Sequence, residues 1–235
     1  MLCHQATSHP TAPIYGGSDQ VAAVTHIVKD KDEFRVGENV SVKLLILFSS
    51  QPLAIDHDHP QCRCLATPCH TRDSICYYVT DTSDPSQPGG VFTGDTLFLA
   101  GCGRFFQGTA SEMHAALSYL GLLPDKTVVY NGHEYTASSL AFAKSVDPEN
   151  PDLGRLEDIV KNNQVTTGLT TISDEKTWNP FMRLQTNAIR YVHLALFCWV
   201  RVDSGFFRKA VGATESSSDV DVMRELREMK NNFKG

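Results

Sequence analysis

The first part of the chain has the hydrophobic pattern of short strands. Residues 21–28 and 40–43 predict strand or edge segments, and residues 75–79 are rich in strand-forming side chains. A polar connection over residues 81–90 leads to a second apolar run at 91–93. These two runs predict a hairpin with a long connection.

From residue 109 onwards the pattern changes to that of helices. Thr109 and Glu112 have the spacing of a capping box, which predicts the start of a helix. Met113, Leu117 and Leu120 would then lie on one face of that helix.

Further elements follow downstream. Residues 127–130 predict a buried strand, and Asn150 followed by Pro151 predicts another helix start. The last helix carries an apolar stripe whose members recur at spacings of four, three and four: Val222, Leu226, Met229 and Phe233. Strands dominate the first part and helices the last, so we expect an α+β protein with two subdomains.

Composition and charge exclude several classes of protein. The 235 residues are 41% hydrophobic and 20% charged, which is unlike a disordered chain. With 21 Lys and Arg against 27 Asp and Glu, the net charge is −6 and argues against a nucleic-acid partner. Seven irregularly spaced cysteines favour a reducing compartment over a disulfide framework. The N-terminus lacks signal-peptide features, and the most apolar run, 191–202, is shorter than a bilayer span, so no membrane partner is expected.

Three potential metal ligands follow predicted strands. His70 comes after the segment 64–69, Asp95 ends the run Phe-Thr-Gly-Asp, and His133 follows Tyr-Asn-Gly. Strand ends at one edge of a sheet lie close together, so we expect these three side chains to converge. Two imidazoles and a carboxylate suit zinc or iron.

Three sequence strings resemble those of a known family. The strings are CLATPCHT at 64–71, VFTGDTLF followed by AGCG at 91–103, and GHEYT at 132–136. Together they resemble glyoxalase II, the hydroxyacylglutathione hydrolase family of the metallo-β-lactamase superfamily. The resemblance covers residues 14–43, 64–190 and 208–235.

The resemblance implies the fold and its division. The expected fold is a metallo-β-lactamase-like αββα sandwich, with an incomplete N-terminal half and a helical C-terminal subdomain. Residues 1–147 would form the partial sandwich and residues 148–235 the helical subdomain. The segments 44–63 and 191–207 have no family counterpart, and our hypothesis is that both are read-through of non-coding sequence or splice variants.

The resemblance also implies the chemistry. The family hydrolyses S-D-lactoylglutathione to glutathione and D-lactate by metal-bound hydroxide, in methylglyoxal detoxification, in the cytoplasm or mitochondria. On that basis His70 binds the first metal, Asp95 bridges both and is the catalytic carboxylate, and His133 binds the second. Zinc is the expected metal, with iron or manganese as alternatives, and the protein is expected to be a monomer.

The family binds glutathione through residues that this sequence retains in part. The matching positions are Arg104, Phe106, Tyr135, Arg227 and Lys230. The family usually has Lys at the position of Arg104 and Tyr at that of Phe106, so donor geometry changes at one and a hydroxyl is lost at the other. Arg227 and Lys230 are three residues apart, so we expect them to share a helix face opposite the apolar stripe.

Other functions remain open at this point. The family motif T-H-x-H-x-D-H, which supplies four more ligands, precedes the segment with which this sequence begins, and His57 and His59 are weak substitutes. One alternative is therefore a non-catalytic glutathione-binding or interaction protein. A second is a persulfide dioxygenase-like enzyme, which the AGCG loop and the pair Arg227 and Lys230 disfavour.

Overall fold

The strands form one main sheet and two small pairs. The computed structural model describes residues 13–35, 61–81, 84–190 and 218–234. In the described part, the strands in chain order are β1 (Tyr15–Gly16), β2 (His26–Ile27), β3 (Glu33–Arg35), β4 (Gln61–Ala66), β5 (Ile75–Thr80), β6 (Gly90–Gly94), β7 (Leu97–Phe98), β8 (Gly101–Cys102) and β9 (Val128–Asn131). The main sheet has the order β3-β4-β5-β6-β9, while β1 pairs with β2 and β7 with β8.

The register of the main sheet confirms the predicted hairpin. Strands β5 and β6 are antiparallel, with Tyr77 opposite Phe92 and Tyr78 opposite Val91. Strand β9 instead runs parallel to β6, so the ends of these two strands lie at the same edge of the sheet. That edge carries the functional candidates.

One sequence prediction needs correction in the first part. The predicted strand over residues 21–28 is largely a turn, since the Val24 amide donates to the Val21 carbonyl and Ala23 has φ of 59°, and only His26–Ile27 extend as a strand. Residues 61–63 of the segment 44–63 begin the strand Gln61–Ala66, which pairs with both β3 and β5, and the absence of a family counterpart for that segment stays a prediction. Residues 40–43 and the rest of that segment lie outside the described residues.

The helices follow the strands. They are α1 (Ala110–Gly121), α2 (Thr136–Val146), α3 (Asp152–Asn162), α4 (Ile172–Trp178) and α5 (Asp219–Asn232), with a 3₁₀ turn at Pro180–Met182. Thr109 and Glu112 form the predicted capping box at the start of α1. At α3 the prediction that Asn150 caps the helix is wrong by one residue, because the N-cap is Pro151, which has no side-chain cap hydrogen bond; Asn150 lies just before it and accepts a hydrogen bond from the Asp152 amide at 3.1 Å.

The core joins the sheet to α1 and α5. Strand residues Leu65, Val91 and Val129 are fully buried, as are Met113 of α1 and Leu226 of α5. A second cluster packs α2, α3 and α4 together around Leu156 and Trp178. This arrangement is of the predicted α+β class, while the division at residue 147 stays a prediction. Among the described residues, no helix is both long enough and apolar enough to cross a membrane.

Candidate active site

Asp95 lies between two histidines. The Nε2 atom of His70 is 3.2 Å from Oδ2 of Asp95, and the Nε2 atom of His133 is 3.4 Å from Oδ1. Each carboxylate oxygen therefore faces one imidazole. The structure thus brings together the three side chains that the strand-end pattern selected.

The sheet places these residues at one edge. Asp95 directly follows β6, and His133 comes two residues after β9, whose direction is the same as that of β6. The Gly132 amide donates to the Gly94 carbonyl at 2.9 Å, which joins the two strand ends. His70 comes from the turn after β4, and its Nδ1 is 3.0 Å from the Arg104 carbonyl oxygen. That contact orients the ring so that Nε2 points to Asp95.

Two glycines allow the chain to pass close to Asp95. A Cβ on Gly132 would lie 2.9 Å from Oδ1 of Asp95, and a Cβ on Gly103 would lie 1.8 Å from its carbonyl oxygen. A side chain at Gly103 would also come within 3.1 Å of Nδ1 of His70. The surroundings of the carboxylate therefore depend on glycine at both positions.

The chemistry of these donors fits a metal cofactor. Imidazole nitrogen and carboxylate oxygen are the ligands of zinc and of non-haem iron. Within the described ranges, however, no three side chains of His, Cys, Asp or Glu are arranged to hold a single ion. The two imidazoles face different oxygens of Asp95.

A cavity opens beside His70 and Asp95. Its volume is about 560 Å³, which lies within the range of small-molecule sites. All five residues predicted to bind glutathione line it: Arg104, Phe106, Tyr135, Arg227 and Lys230. His57 and His59 lie outside the described residues.

Arg227 corrects one prediction about the last helix. It is only 7% exposed and therefore packs in the core rather than lying on a face opposite the apolar stripe. Its Nη1 donates to the Cys102 carbonyl at 2.9 Å, and its guanidinium lies 5.6 Å from the centre of the Phe181 ring. The long side chain of Arg227 passes through the core and reaches the cavity. The spacing of residues along the helix does not reveal this path. Burial lowers the pKa of Arg227 from its ordinary value.

Lys230 lies one helical turn further along α5. Its Nζ donates to the carbonyl and the hydroxyl oxygen of Ser138, at 2.6 and 2.9 Å. Burial and the nearby charge of Arg227 lower the pKa of Lys230 to about 8. In the described part of the chain no carboxylate forms an ion pair with Lys230, Arg227 or Arg104. Three cations therefore face the cavity with no acidic partner, which favours an anionic ligand.

Aromatic rings cover the histidines. Tyr135 stacks on His133 with ring centres 5.1 Å apart, and Phe106 contacts His70 at 4.9 Å. Phe106 is 66% exposed and Tyr135 is 51% exposed, and both residues line the cavity. Phe106 contributes no hydroxyl there.

Comparison with known proteins identifies the family. The sequence model described as the C-terminus of hydroxyacylglutathione hydrolase matches residues 134–233. A probable hydroxyacylglutathione hydrolase of Schizosaccharomyces pombe is 43% identical over 94% of this chain and 68% of its own length. The mitochondrial hydroxyacylglutathione hydrolase of Saccharomyces cerevisiae is 35% identical over 98% of this chain and 70% of its own. The chain belongs to the hydroxyacylglutathione hydrolase family.

The fold agrees with that family assignment. A crystal structure of a metallo-β-lactamase from Staphylococcus aureus matches with a TM-score of 0.50 at 19% identity, over 97% of this chain and 52% of that one. The metallo-β-lactamase fold and the hydroxyacylglutathione hydrolase family together imply a metal cofactor. The names of these relatives favour the hydrolase prediction over both alternatives.

Sequence reasoning missed two buried residues near the site. Glu175 is fully buried, and its Oε2 accepts a hydrogen bond from the Ala100 amide at 2.8 Å. Asn179 is also fully buried and donates to the carbonyls of Phe98 and Gly101. Both residues lie within the range 64–190 that resembles the family, but the local sequence carries no sign of these long-range partners.

Proposed function

We propose that this chain is a thioester hydrolase that converts S-D-lactoylglutathione and water to glutathione and D-lactate. The observation that carries this proposal is the position of Asp95. Its carboxylate faces one imidazole at each oxygen, and it opens into the same cavity as three cations that have no acidic partner among the described residues. Family membership and the names of the relatives support it.

His70, Asp95 and His133 would hold the metal ions, with zinc as the expected metal and iron or manganese as alternatives. Asp95 suits the bridging position, because each of its oxygens is oriented towards a different histidine. When bound, two metal ions lower the pKa of water and polarise a carbonyl group, which allows hydrolysis at neutral pH. The Arg104 carbonyl keeps the His70 ring in the orientation that this role requires.

The glutathione half of the substrate would bind to the cationic side of the cavity. Its carboxylates would pair with Arg227 and Lys230 on α5 and with Arg104 after β8, all of which line the cavity. Tyr135 can donate its hydroxyl to the peptide, whereas Phe106 offers only an apolar contact. We further infer that the chain acts as a monomer in the cytoplasm or mitochondria, with this small substrate as its only partner.

The test is an assay of thiol release from S-D-lactoylglutathione after incubation of the chain with zinc, iron or manganese. We expect metal-dependent release that falls at least about a hundredfold in Asp95→Asn, because an amide cannot bridge two cations as a carboxylate does. Glu149→Gln also replaces a carboxylate by an amide, but on an exposed loop residue, and it should keep the wild-type rate of thiol release. Release that persists in Asp95→Asn would refute the assignment of this site.

A second outcome would favour the non-catalytic alternative. If the wild-type chain binds S-methylglutathione by calorimetry but releases no thiol with any of the three metals, it is a glutathione-binding protein rather than a hydrolase. Absence of both binding and thiol release would overturn the proposal entirely.

A further inference from the structure

Glu175 accepts hydrogen bonds from three donors in the core. The donors are Nε1 of Trp178 at 2.9 Å, the amide of Ala100 at 2.8 Å and Nδ2 of Asn179 at 2.9 Å. A carboxylate accepts at both oxygens, so its ionised form satisfies all three. Burial raises the pKa of Glu175 to about 7, and the three donors oppose that shift. A buried carboxylate is costly to maintain, so the groups that Glu175 holds in place indicate its role.

The contacts converge on the hairpin of β7 and β8. Ala100 lies at its tip with φ of 54°, a left-handed conformation that is strained for a residue with a Cβ atom. Glu175 holds the amide of Ala100, while Nδ2 of Asn179 donates to the carbonyls of Phe98 and Gly101 at 3.3 and 3.1 Å. Both sides of the tip are thus fixed by helix α4 and the residue that follows it.

The chain that leaves this hairpin contacts the site at three successive residues. The Cys102 carbonyl accepts from Arg227, and the Arg104 carbonyl lies 3.0 Å from Nδ1 of His70. Gly103, between them, passes so close to Asp95 that no side chain would fit. A shift of the hairpin would therefore move the backbone contacts of the site together with the Arg104 side chain.

We propose that Glu175 is a positioning residue, which acts through the β7–β8 hairpin to place Arg104 and the backbone contacts of His70 and Arg227. It touches neither the cavity nor the proposed metal ligands. The inference deepens the proposed function and rests on it in one respect, because glutathione is the ligand that Arg104 is positioned to meet.

The first test is a set of double-mutant cycles on the binding of S-methylglutathione by calorimetry. Glu175→Gln leaves one acceptor oxygen for three donors, and its NH₂ group faces the N–H of one of them. We therefore expect about tenfold weaker binding of S-methylglutathione. Arg104→Ala should weaken wild-type binding about tenfold but change the Glu175→Gln variant by less than about twofold. Lys230→Ala, on a different element, should keep its full effect in both backgrounds. Equal, additive effects of Arg104→Ala in both backgrounds would overturn the proposal.

A conservative pair guards against simple loss of stability. In Glu175→Gln with Trp178→Phe, the clashing indole N–H is gone, and the Gln oxygen can accept from both remaining donors. This double variant should restore most of the affinity for S-methylglutathione. As a control, Glu149→Gln in the wild-type chain should leave that affinity unchanged. A double variant that folds but binds as weakly as Glu175→Gln alone would contradict positioning through this network.

A second measurement needs no ligand. The Gly103 amide donates to the Thr96 carbonyl at 3.2 Å, and the Val129 amide in the main sheet donates to Thr170 at 2.9 Å. In Glu175→Gln we expect amide hydrogen exchange to accelerate at least about tenfold at Gly103, and less than about twofold at Val129. Unchanged exchange at Gly103 would refute the inference. Faster exchange at Gly103 in a chain that binds no S-methylglutathione would refute the proposed substrate while leaving the positioning role in place.

Discussion

The low pKa of Lys230 should make binding of the proposed ligand, glutathione, sensitive to mild alkali. An ordinary lysine stays charged to about pH 10, but burial and the charge of Arg227 lower the pKa of Lys230 to about 8. Its charged form is thus lost as pH rises through about 8. If a carboxylate of glutathione pairs with this ammonium group, affinity should fall over that same window.

The expected magnitude follows from the pKa. The charged fraction of Lys230 falls from about nine tenths at pH 7 to about one tenth at pH 9, so binding that requires the charge weakens about tenfold. A tenfold change corresponds to about 1.4 kcal/mol, which is close to the 1.5–3 kcal/mol that hydrogen bonds to charged groups contribute. The contact can therefore supply the whole effect.

Calorimetry with S-methylglutathione between pH 6.5 and 9.5 would measure this change in Kd. This ligand is suitable because its thioether has no thiol that titrates in that range. The matched variant is Lys230→Arg, whose guanidinium stays charged over this range. We expect Kd to rise about tenfold from pH 7 to 9 in the wild type and to follow only the ligand's own titration in the arginine variant. Identical pH profiles for both proteins would refute the role of Lys230.

Three further predictions concern the site and the core. Replacing both Arg227 and Lys230 with alanine should abolish measurable binding of S-methylglutathione in calorimetry, and retained binding would place the ligand elsewhere. Gly132→Ala should weaken zinc binding at least about tenfold in a competition titration, because the new Cβ would lie 2.9 Å from Oδ1 of Asp95; wild-type zinc affinity would contradict this. Leu156→Ala should lower the free energy of unfolding by about 2–5 kcal/mol in urea denaturation, since the side chain is fully buried, and a loss below about 1 kcal/mol would contradict that packing.

Local sequence signals predicted the elements well where side chains act on their own backbone. The Thr109 capping box, the strand at residues 75–80 and the hairpin to β6 all form as expected. Such features depend on hydrogen bonds and alternation within a few residues, so a single sequence reveals them. The convergence of His70, Asp95 and His133 was also predictable, because strand ends meet at a sheet edge.

The remaining features depend on contacts between distant parts of the chain. The burial of Arg227 comes from its contact with the Cys102 carbonyl, and nothing on its own helix indicates that partner. Likewise Glu175 and Asn179 look like ordinary polar residues of a helix end until the hairpin around Ala100 is placed against them. The turn at residues 21–24 was missed because valine favours strands, whereas the local hydrogen bond from Val24 to Val21 prevailed.

The parallel pairing of β6 with β9 has a consequence for folding. Parallel neighbours need a crossover, here provided by α1, so we expect Asp95 and His133 to come together only once α1 has packed onto the sheet. Contacts that are this distant in sequence form late, since the intervening loop must first be closed. A metal ion that requires both residues would bind only chains that have completed this step, and it would hold them there by mass action. The rate of metal uptake would then report how fast β9 pairs with β6 during folding.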